Sequence, residues 1–327
     1  MEVVSEAYVT HASGASSLPH SSFLGFPEDQ RNRIIALPAY LGGSFEVCGL
    51  KWVSSFPGNL DRGMDRASAL VILNSPLSGR LEAILEASRI NAKRTAASAA
   101  LAARQLQAGK QTNRLGVIGC GPINFEVVRF LLFTFPEIEE MFIFDLDHER
   151  AEVFKHSCRS RVAPVEIEVL DSIDAVLESA SLITFATTAI KPHVSDLSKC
   201  APGSTILHVS LRDLTPEVIL ASDNIADDVD HVCRANTSLH LTEQQVGNRT
   251  FIRCALPDIL LGNAPARRDD RSIAVFSPFG LGILDLAVGK FTRDLALQEG
   301  KGTPISSFPA DSWYERDGHP AYEGLSK

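Results

Sequence analysis

Two unlike patterns of apolar and polar positions divide the chain. Between about residue 30 and residue 88, short runs rich in β-branched and aromatic side chains occupy 33–38, 47–56 and 69–74. Gly42-Gly43, Pro57-Gly58 and Ser78-Gly79 punctuate them, which predicts the strands and turns of an antiparallel sheet. Residues 80–87 carry helix formers, but Leu81, Ala83, Leu85 and Ala87 alternate with Glu82, Ile84 and Glu86 directly after a turn. The alternation predicts a strand that closes a hairpin. Residues 89–108 then predict a helix with an alanine-rich stretch at 96–103 and a stop at Gly109. From Leu115 the pattern changes. Strand-like runs at 115–120, 141–145, 165–170, 182–187, 205–211 and 273–276 alternate with helix-like ones, as βαβ units of a parallel sheet require. A last amphipathic stretch, 281–298, is expected to run back to the first region.

Composition narrows the class. The 327 residues are 45% hydrophobic and 22% charged, normal for a globular chain of one or two domains. A formal net charge of -9, with no basic run, argues against a nucleic-acid partner. The apolar runs are too short for a membrane span, and the first residues lack the basic-then-apolar order of a signal peptide. Six cysteines form no Cys-x-x-Cys pair and nine histidines no metal spacing. No disulfide framework and no metal are expected, and the reading is a cytoplasmic protein with free thiols. Most histidines read as surface or capping residues. The absence of Gly-x-Ser-x-Gly leaves a hydrolase triad unsupported.

The strongest chemical signal is the run Leu115-Gly-Val-Ile-Gly-Cys-Gly121, an apolar strand entering a Gly-x-Gly turn, with a helix over 123–134. Gly119 permits the tight turn, and Gly121 lets the backbone approach a pyrophosphate. Pro122 stands where a helix start tolerates proline. The open N–H groups of that helix start would meet the phosphates. Position 124 is Asn124 instead of a third glycine. Asp145 ends the next strand 24 residues after Gly121, where an acid binds both ribose hydroxyls and repels the extra phosphate of NADP. The expected cofactor is therefore NAD. The fold class is α/β, a Rossmann doubly wound sheet plus an antiparallel-sheet domain.

Outside the fingerprint, Lys51 lies in an otherwise apolar strand, Arg66 and Arg94 flank apolar or small-residue runs, and Asp213 follows the strand at 205–211. Taken singly, each reads more readily as a solvated or salt-bridged surface charge than as a site residue.

Four strings bring these residues together. Gly49-Leu-Lys-Trp-Val-Ser-Ser-Phe-Pro-Gly-Asn59, Lys93-Arg-Thr-Ala-Ala97, Gly119-Cys-Gly-Pro-Ile-Asn124 and Pro278-Phe-Gly-Leu-Gly-Ile-Leu-Asp285 resemble the ornithine cyclodeaminase/μ-crystallin family over nearly the whole chain. Arg33-Ile-Ile-Ala-Leu-Pro38 and Asp65-Arg-Ala-Ser68 look like its branch that makes 2,3-diaminopropionate for siderophores and peptide antibiotics. The resemblance implies a discontinuous substrate-binding and dimerisation domain (1–112 and 285–327) around an NAD-binding Rossmann domain (113–284). It implies a homodimer acting on a small amino-acid-derived substrate. Residue by residue, it implies catalytic roles for Asp213 and Lys51, and substrate contacts from Arg94, Arg66, Lys51 and Arg33. It puts cofactor contacts at Gly119, Gly121, Pro122, Ile123, Asn124, Asp145, Thr187, Ser210 and Leu211.

The chain also departs from the cyclodeaminases. Arg66 stands where they have a threonine, a residue near His20 replaces an upstream arginine, and Ser210-Leu-Arg-Asp-Leu214 replaces Gly-Gly-Asp-Cys-Pro. Family members carry further residues before the position of Val4, so a first strand and part of a helix are expected to be missing. The activity implied is NAD-dependent oxidation of a secondary amine that joins a glutamate unit to a 2-amino-2-carboxyethyl group. Ornithine cyclodeamination, imine reduction, alanine dehydrogenation and cofactor-dependent binding without catalysis stay open beside it.

Overall fold

The computed structural model describes residues 1–29, 31–162 and 164–305, so the part of the predicted segment 285–327 beyond residue 305 lies outside the described residues. The chain opens with helix α1 (Glu2–Ala12), followed by strands β1 (Ser16–Ser17), β2 (Ser22–Gly25), β3 (Arg33–Leu41), β4 (Val47–Ser55), β5 (Ala67–Asn74) and β6 (Leu81–Glu86). These pair antiparallel in the order β1-β3-β4-β5-β6, with β2 also on β3. The ambiguous run 80–87 is a strand. The alternation of its side chains across the pleat prevailed over helix propensity because β5 offers a partner edge.

Helix α2 (Ser88–Leu106) then crosses to the second sheet. Its alanine-rich stretch is buried almost all round and touches β5, β11, β14 and helix α3 (Pro122–Thr134). Small side chains allow such close approach on several sides at once. The second sheet starts with β7 (Arg114–Ile118), and α3 follows it. Next come β8 (Glu140–Phe144), α4 (His148–Arg161), β9 (Glu166–Val169), α5 (Ile173–Ser179), β10 (Leu182–Phe185) and β11 (Thr205–His208). The chain continues through α6 (Pro216–Ala221), β12 (Asp223–Ala226), α7 (Val229–Val232), α8 (Ser238–Val246), β13 (Ile252–Ala255), α9 (Leu256–Leu260), β14 (Ala274–Ser277) and α10 (Gly282–Gln298).

All eight strands of this sheet run parallel, in the order β13-β12-β14-β11-β10-β7-β8-β9. From β7 the chain first winds outward through β8 and β9, then crosses to β10 and β11 on the other side. The strand order therefore reverses between β7 and β10, and the carboxyl ends of these two strands bound the crevice where such sheets take ligands. β10 and β11 are buried on both faces, as strands covered by helices on each side must be.

Residues Met1–Phe291 form one compact unit that contains both sheets. The second unit begins at Thr292, and its described part is the end of α10 and the turn that closes on Lys301. Among the described residues, no helix is long and apolar enough to cross a membrane, and no cluster of acids, histidines and cysteines could hold a metal ion. Several predicted strands are shorter than expected: 205–211 ends at His208, and 182–187 ends at Phe185. The residues beyond leave the sheet to form loops at its carboxyl edge. The sequence pattern did not indicate β12 and β13. β12 begins with buried Asp223 and Asn224, whose polar side chains are paired internally, Asp223 with Arg253 at 2.6 Å and Asn224 with the carbonyl of Ile219 at 2.6 Å. An apolar period cannot reveal such a strand.

Candidate active site

The turn after β7 fits the phosphates of a dinucleotide. Gly119 has φ +90°, and a Cβ there would come within 2.6 Å of the Ala186 carbonyl oxygen beyond β10, so only glycine is tolerated. A Cβ at Gly121 would instead project into open space, so the glycine leaves a clear approach to the backbone. No side chain caps α3, and Pro122 at its start lacks an N–H, so the following N–H groups are open to an anion. Asn124, in the place of a third glycine, is fully buried. Its Nδ2 donates to the carbonyls of Ile118 (2.9 Å) and Gly119 (2.7 Å), and its Oδ1 accepts from Thr184 Oγ1 (2.8 Å). It ties the turn to β10 with its side chain, and only its backbone N–H faces the open helix end.

Asp145 holds the same turn from the next strand. Its Oδ2 accepts the Cys120 N–H at 2.7 Å, and its Oδ1 accepts the Asp147 N–H at 3.0 Å. Each carboxylate oxygen keeps a lone pair for a ribose hydroxyl.

Beyond the turn the chain passes from Ala186 to Thr187, whose hydroxyl donates to Asp213 Oδ1. Ser210 donates to Asp213 Oδ2, and His208 Nε2 lies 3.2 Å from the same oxygen. Asp213 is fully buried. Burial alone would raise its pKa, but the hydrogen bonds and charge of its neighbours outweigh that and hold it at about 2. His208 Nε2 is also 3.1 Å from the Asp213 N–H, and Nδ1 is 3.1 Å from Ser277 Oγ. One nitrogen cannot donate and accept at once. With its proton on Nε2 the ring supports the carboxylate; with it on Nδ1 the ring serves Ser277 and accepts the amide. His208 and His231 are both buried, while most of the other described histidines are exposed or half-buried.

The second half of the site is built on the antiparallel sheet. Lys51, in the middle of β4, points inward and is 2% exposed. Asn91 and Arg94 lie three residues apart on one face of α2, and Asp285 stands in the first turn of α10. Asp285 is fully buried and receives Lys51 Nζ at 2.7 Å and Arg94 Nε at 3.1 Å. Asn91 Oδ1 accepts from Arg94 Nη2 at 2.6 Å and from Lys51 Nζ at 3.2 Å. Burial and the adjacent Arg94 charge lower the lysine pKa to about 8, despite the opposing pull of Asp285. Gly280 makes room for the arginine, because a Cβ there would fall 2.7 Å from its Nη1. Buried Asp227, at the end of β12, accepts the N–H groups of Phe279 (2.8 Å) and Gly280 (2.7 Å) and fixes that loop.

Lys51, Arg94, Arg33, Ser210 and Leu211 line one cavity of about 210 Å³. Asp213 lies behind its wall. Arg66 is outside the lining, with Nε 3.3 Å from Ser55 Oγ. Sequence reasoning missed Asn91, His208, Arg212 and Asp285. The spacing of Asn91 from Arg94 was a signal; Asp285 was visible only as the last residue of the Pro278–Asp285 string, since an acid in the first turn of a helix is otherwise ordinary.

The profile of the ornithine cyclodeaminase/mu-crystallin family matches residues 1–300. The chain belongs to that family. Across 94% of its length it is 28% identical to the N-((2S)-2-amino-2-carboxyethyl)-L-glutamate dehydrogenase of Staphylococcus aureus, 93% of which is covered. Among solved structures, it resembles the Δ1-pyrroline-2-carboxylate reductase of Thermococcus litoralis, in complex with NADH and L-proline. There the TM-score is 0.87 at 25% identity, covering 93% of this chain and 94% of that one. An archaeal alanine dehydrogenase dimer with bound NAD superposes with a TM-score of 0.83 at 27% identity, covering 94% and 93%.

Asp285→Asn leaves two buried cations with no carboxylate between them, and removing one partner of a buried pair costs roughly 3–5 kcal/mol. The urea midpoint should fall accordingly. An unchanged midpoint would mean that Lys51 and Arg94 need no counterion.

Proposed function

We propose that this chain is an NAD-dependent oxidoreductase that opens the carbon–nitrogen bond of N-(2-amino-2-carboxyethyl)-L-glutamate, releasing 2-oxoglutarate and 2,3-diaminopropionate. The observation that carries this reading is the buried Lys51–Arg94–Asp285 cluster, which shares a cavity with Ser210 and Leu211 beside a dinucleotide turn. The open helix start, Gly121 and Asp145 suit NAD, and the acid at 145 disfavours the extra phosphate of NADP. The second product supports a place in siderophore or peptide-antibiotic assembly.

NAD, held by the turn at Gly119–Asn124 and by Asp145, would supply a hydride acceptor for the glutamate α-carbon; the resulting C=N bond is then hydrolysed. Arg94 Nη1, the guanidinium nitrogen not committed to Asp285 or Asn91, binds a substrate carboxylate. Lys51, with a pKa of about 8, is the group able to exchange protons near neutrality. Its neutral amine takes the proton of the substrate nitrogen. After passing that proton to solvent, it takes a proton from the attacking water and returns it to the departing amine. Water, amine and NAD thus give ketone, primary amine, NADH and one proton. Asp213, ionised at any working pH, is too weak a base for this role; its charge favours the cationic C=N, and it orients Thr187 and Ser210.

The decisive assay mixes the protein with NAD and synthetic substrate, follows NADH absorbance and looks for both products by mass spectrometry. Bound NAD without NADH formation would sink the reaction. Asp213→Asn should lower turnover by about 100-fold or more while leaving NAD binding intact, and a near-normal rate would remove Asp213 from the chemistry.

The rate should climb with pH through about 8, as Lys51 loses its proton, and then level. Lys51→Met should lose that limb along with most of the rate. A limb that survives the substitution belongs to the substrate.

A second reading, reduction of a cyclic imine, is favoured by the likeness to the T. litoralis reductase, since it makes the same bond in reverse. NADH consumption with Δ1-pyrroline-2-carboxylate, in place of the first reaction, would select it.

A homodimer belongs to the same proposal. The outer face of the antiparallel sheet shows Trp52 opposite Leu70, and Ile72 opposite both Leu50 and Ile84. Trp52 is 38% and Ile84 55% exposed, and a second copy would cover them. Sedimentation should give a dimer that Trp52→Glu weakens; a monomeric parent protein would refute the proposal.

A further inference from the structure

Arginines gather beside the same cavity without a matching acid. Arg33 opens β3 and faces Ser55 of β4, whose hydroxyl lies 3.3 Å from Arg66 Nε. Arg33 and Arg212 line the cavity with Lys51 and Arg94, and both also line an adjoining one of about 660 Å³. Among the described residues, no carboxylate forms an ion pair with Arg33, Arg66 or Arg212, and the buried Arg33 Nε has no partner at all. Burial lowers the pKa of each, and Arg33 lowers Arg66 and Arg212 further. Like charges held half-buried in this way are unfavourable until an anion joins them.

Arg212 is preset for that anion. Its Nη2 donates to the Ala235 carbonyl at 2.6 Å and its Nε to that of Asn236 at 3.2 Å. Ala235 and Asn236 adopt φ of 52° and 54°, left-handed conformations unusual outside glycine. The arginine and the strained turn hold each other, so little side-chain freedom remains to be lost on binding. Nη1 is left for a ligand.

We propose that Arg33 and Arg212, with the charge of Arg66 behind them, form a second anion subsite that binds a carboxylate remote from the reacting carbon, and that Arg212 selects polycarboxylate substrates. This rests on the reading of the cavity as the substrate site. The charges agree: five cations surround Asp285 and Asp213, so the site accommodates a ligand with several carboxylates better than one with a single carboxylate. Carboxylate at one pole meets Arg94 and Lys51; carboxylate at the other meets Arg33 and Arg212.

The test titrates the NAD-loaded protein by calorimetry with acetate, succinate, tricarballylate and inorganic phosphate. Tricarballylate should bind about tenfold or more tighter than acetate, with succinate between them, and phosphate weakly. Arg212→Met should weaken tricarballylate by about tenfold or more while changing acetate by less than about threefold. Arg66→Met, which leaves the Ala235–Asn236 turn untouched, should weaken tricarballylate in the same selective way. Tricarballylate no tighter than acetate would overturn the subsite. So would equal losses for both ligands in Arg212→Met, because they would reduce Arg212 to a strap for the turn. Tight phosphate binding that ignores carboxylate number would overturn it too. The outcome is independent of turnover: an intact ranking without oxidation of the secondary amine rejects the reaction and keeps the subsite, and oxidation without the ranking does the reverse.

Discussion

The carboxylate of Asp285 is the point on which the catalytic half of the molecule depends. Lys51 comes from a strand, Arg94 from a helix, and Asp285 from a second helix 234 residues after the lysine. Neither cation could be buried alone, since desolvation of an unpaired charge costs several kcal/mol. One acid between two bases offsets part of that and leaves the cluster with a positive surplus. The surplus is useful chemically. It lowers the lysine pKa toward neutrality and leaves one face of the arginine free for an anionic ligand.

The two sheets meet chemically through a chain of short-range contacts. Gly119 abuts the backbone after β10; the next side chain, Thr187, holds Asp213, and Asp213 holds Ser210 in the cavity wall. A dinucleotide over the turn and a substrate over Lys51 would thus be registered against one rigid edge. Asn124 contributes to that rigidity. The buried amide bridges the turn and β10, where a glycine would only permit close packing.

Much of this was legible in the sequence. The antiparallel hairpins, the reversal of pattern at Leu115, the Gly-x-Gly turn and Asp145 follow from apolar period and glycine placement, which are local properties. Lys51 and Arg94 were visible as charges in apolar surroundings, but what they bind was not, because pairing across 191 and 234 residues leaves no local trace. Strand β12 escaped for a related reason: its buried Asp223 and Asn224 are bonded by partners that only the fold supplies, Arg253 among them, and β13 is only four residues long. His208 was hidden the same way, its imidazole enclosed between Asp213 and Ser277.

The position of Asp285 has a consequence for how the chain is made. Synthesis proceeds from the N-terminus, and domains tend to fold as they emerge. Lys51 and Arg94 are therefore present, facing inward, for 191 further residues before their counterion exists. During that interval the inner face of the antiparallel sheet can close only by burying two unmatched charges, so it stays hydrated. Helix α10 is then the keystone of assembly. A nascent or truncated chain that ends before it can form the parallel strands, yet it lacks the carboxylate that completes the Lys51–Arg94 cluster.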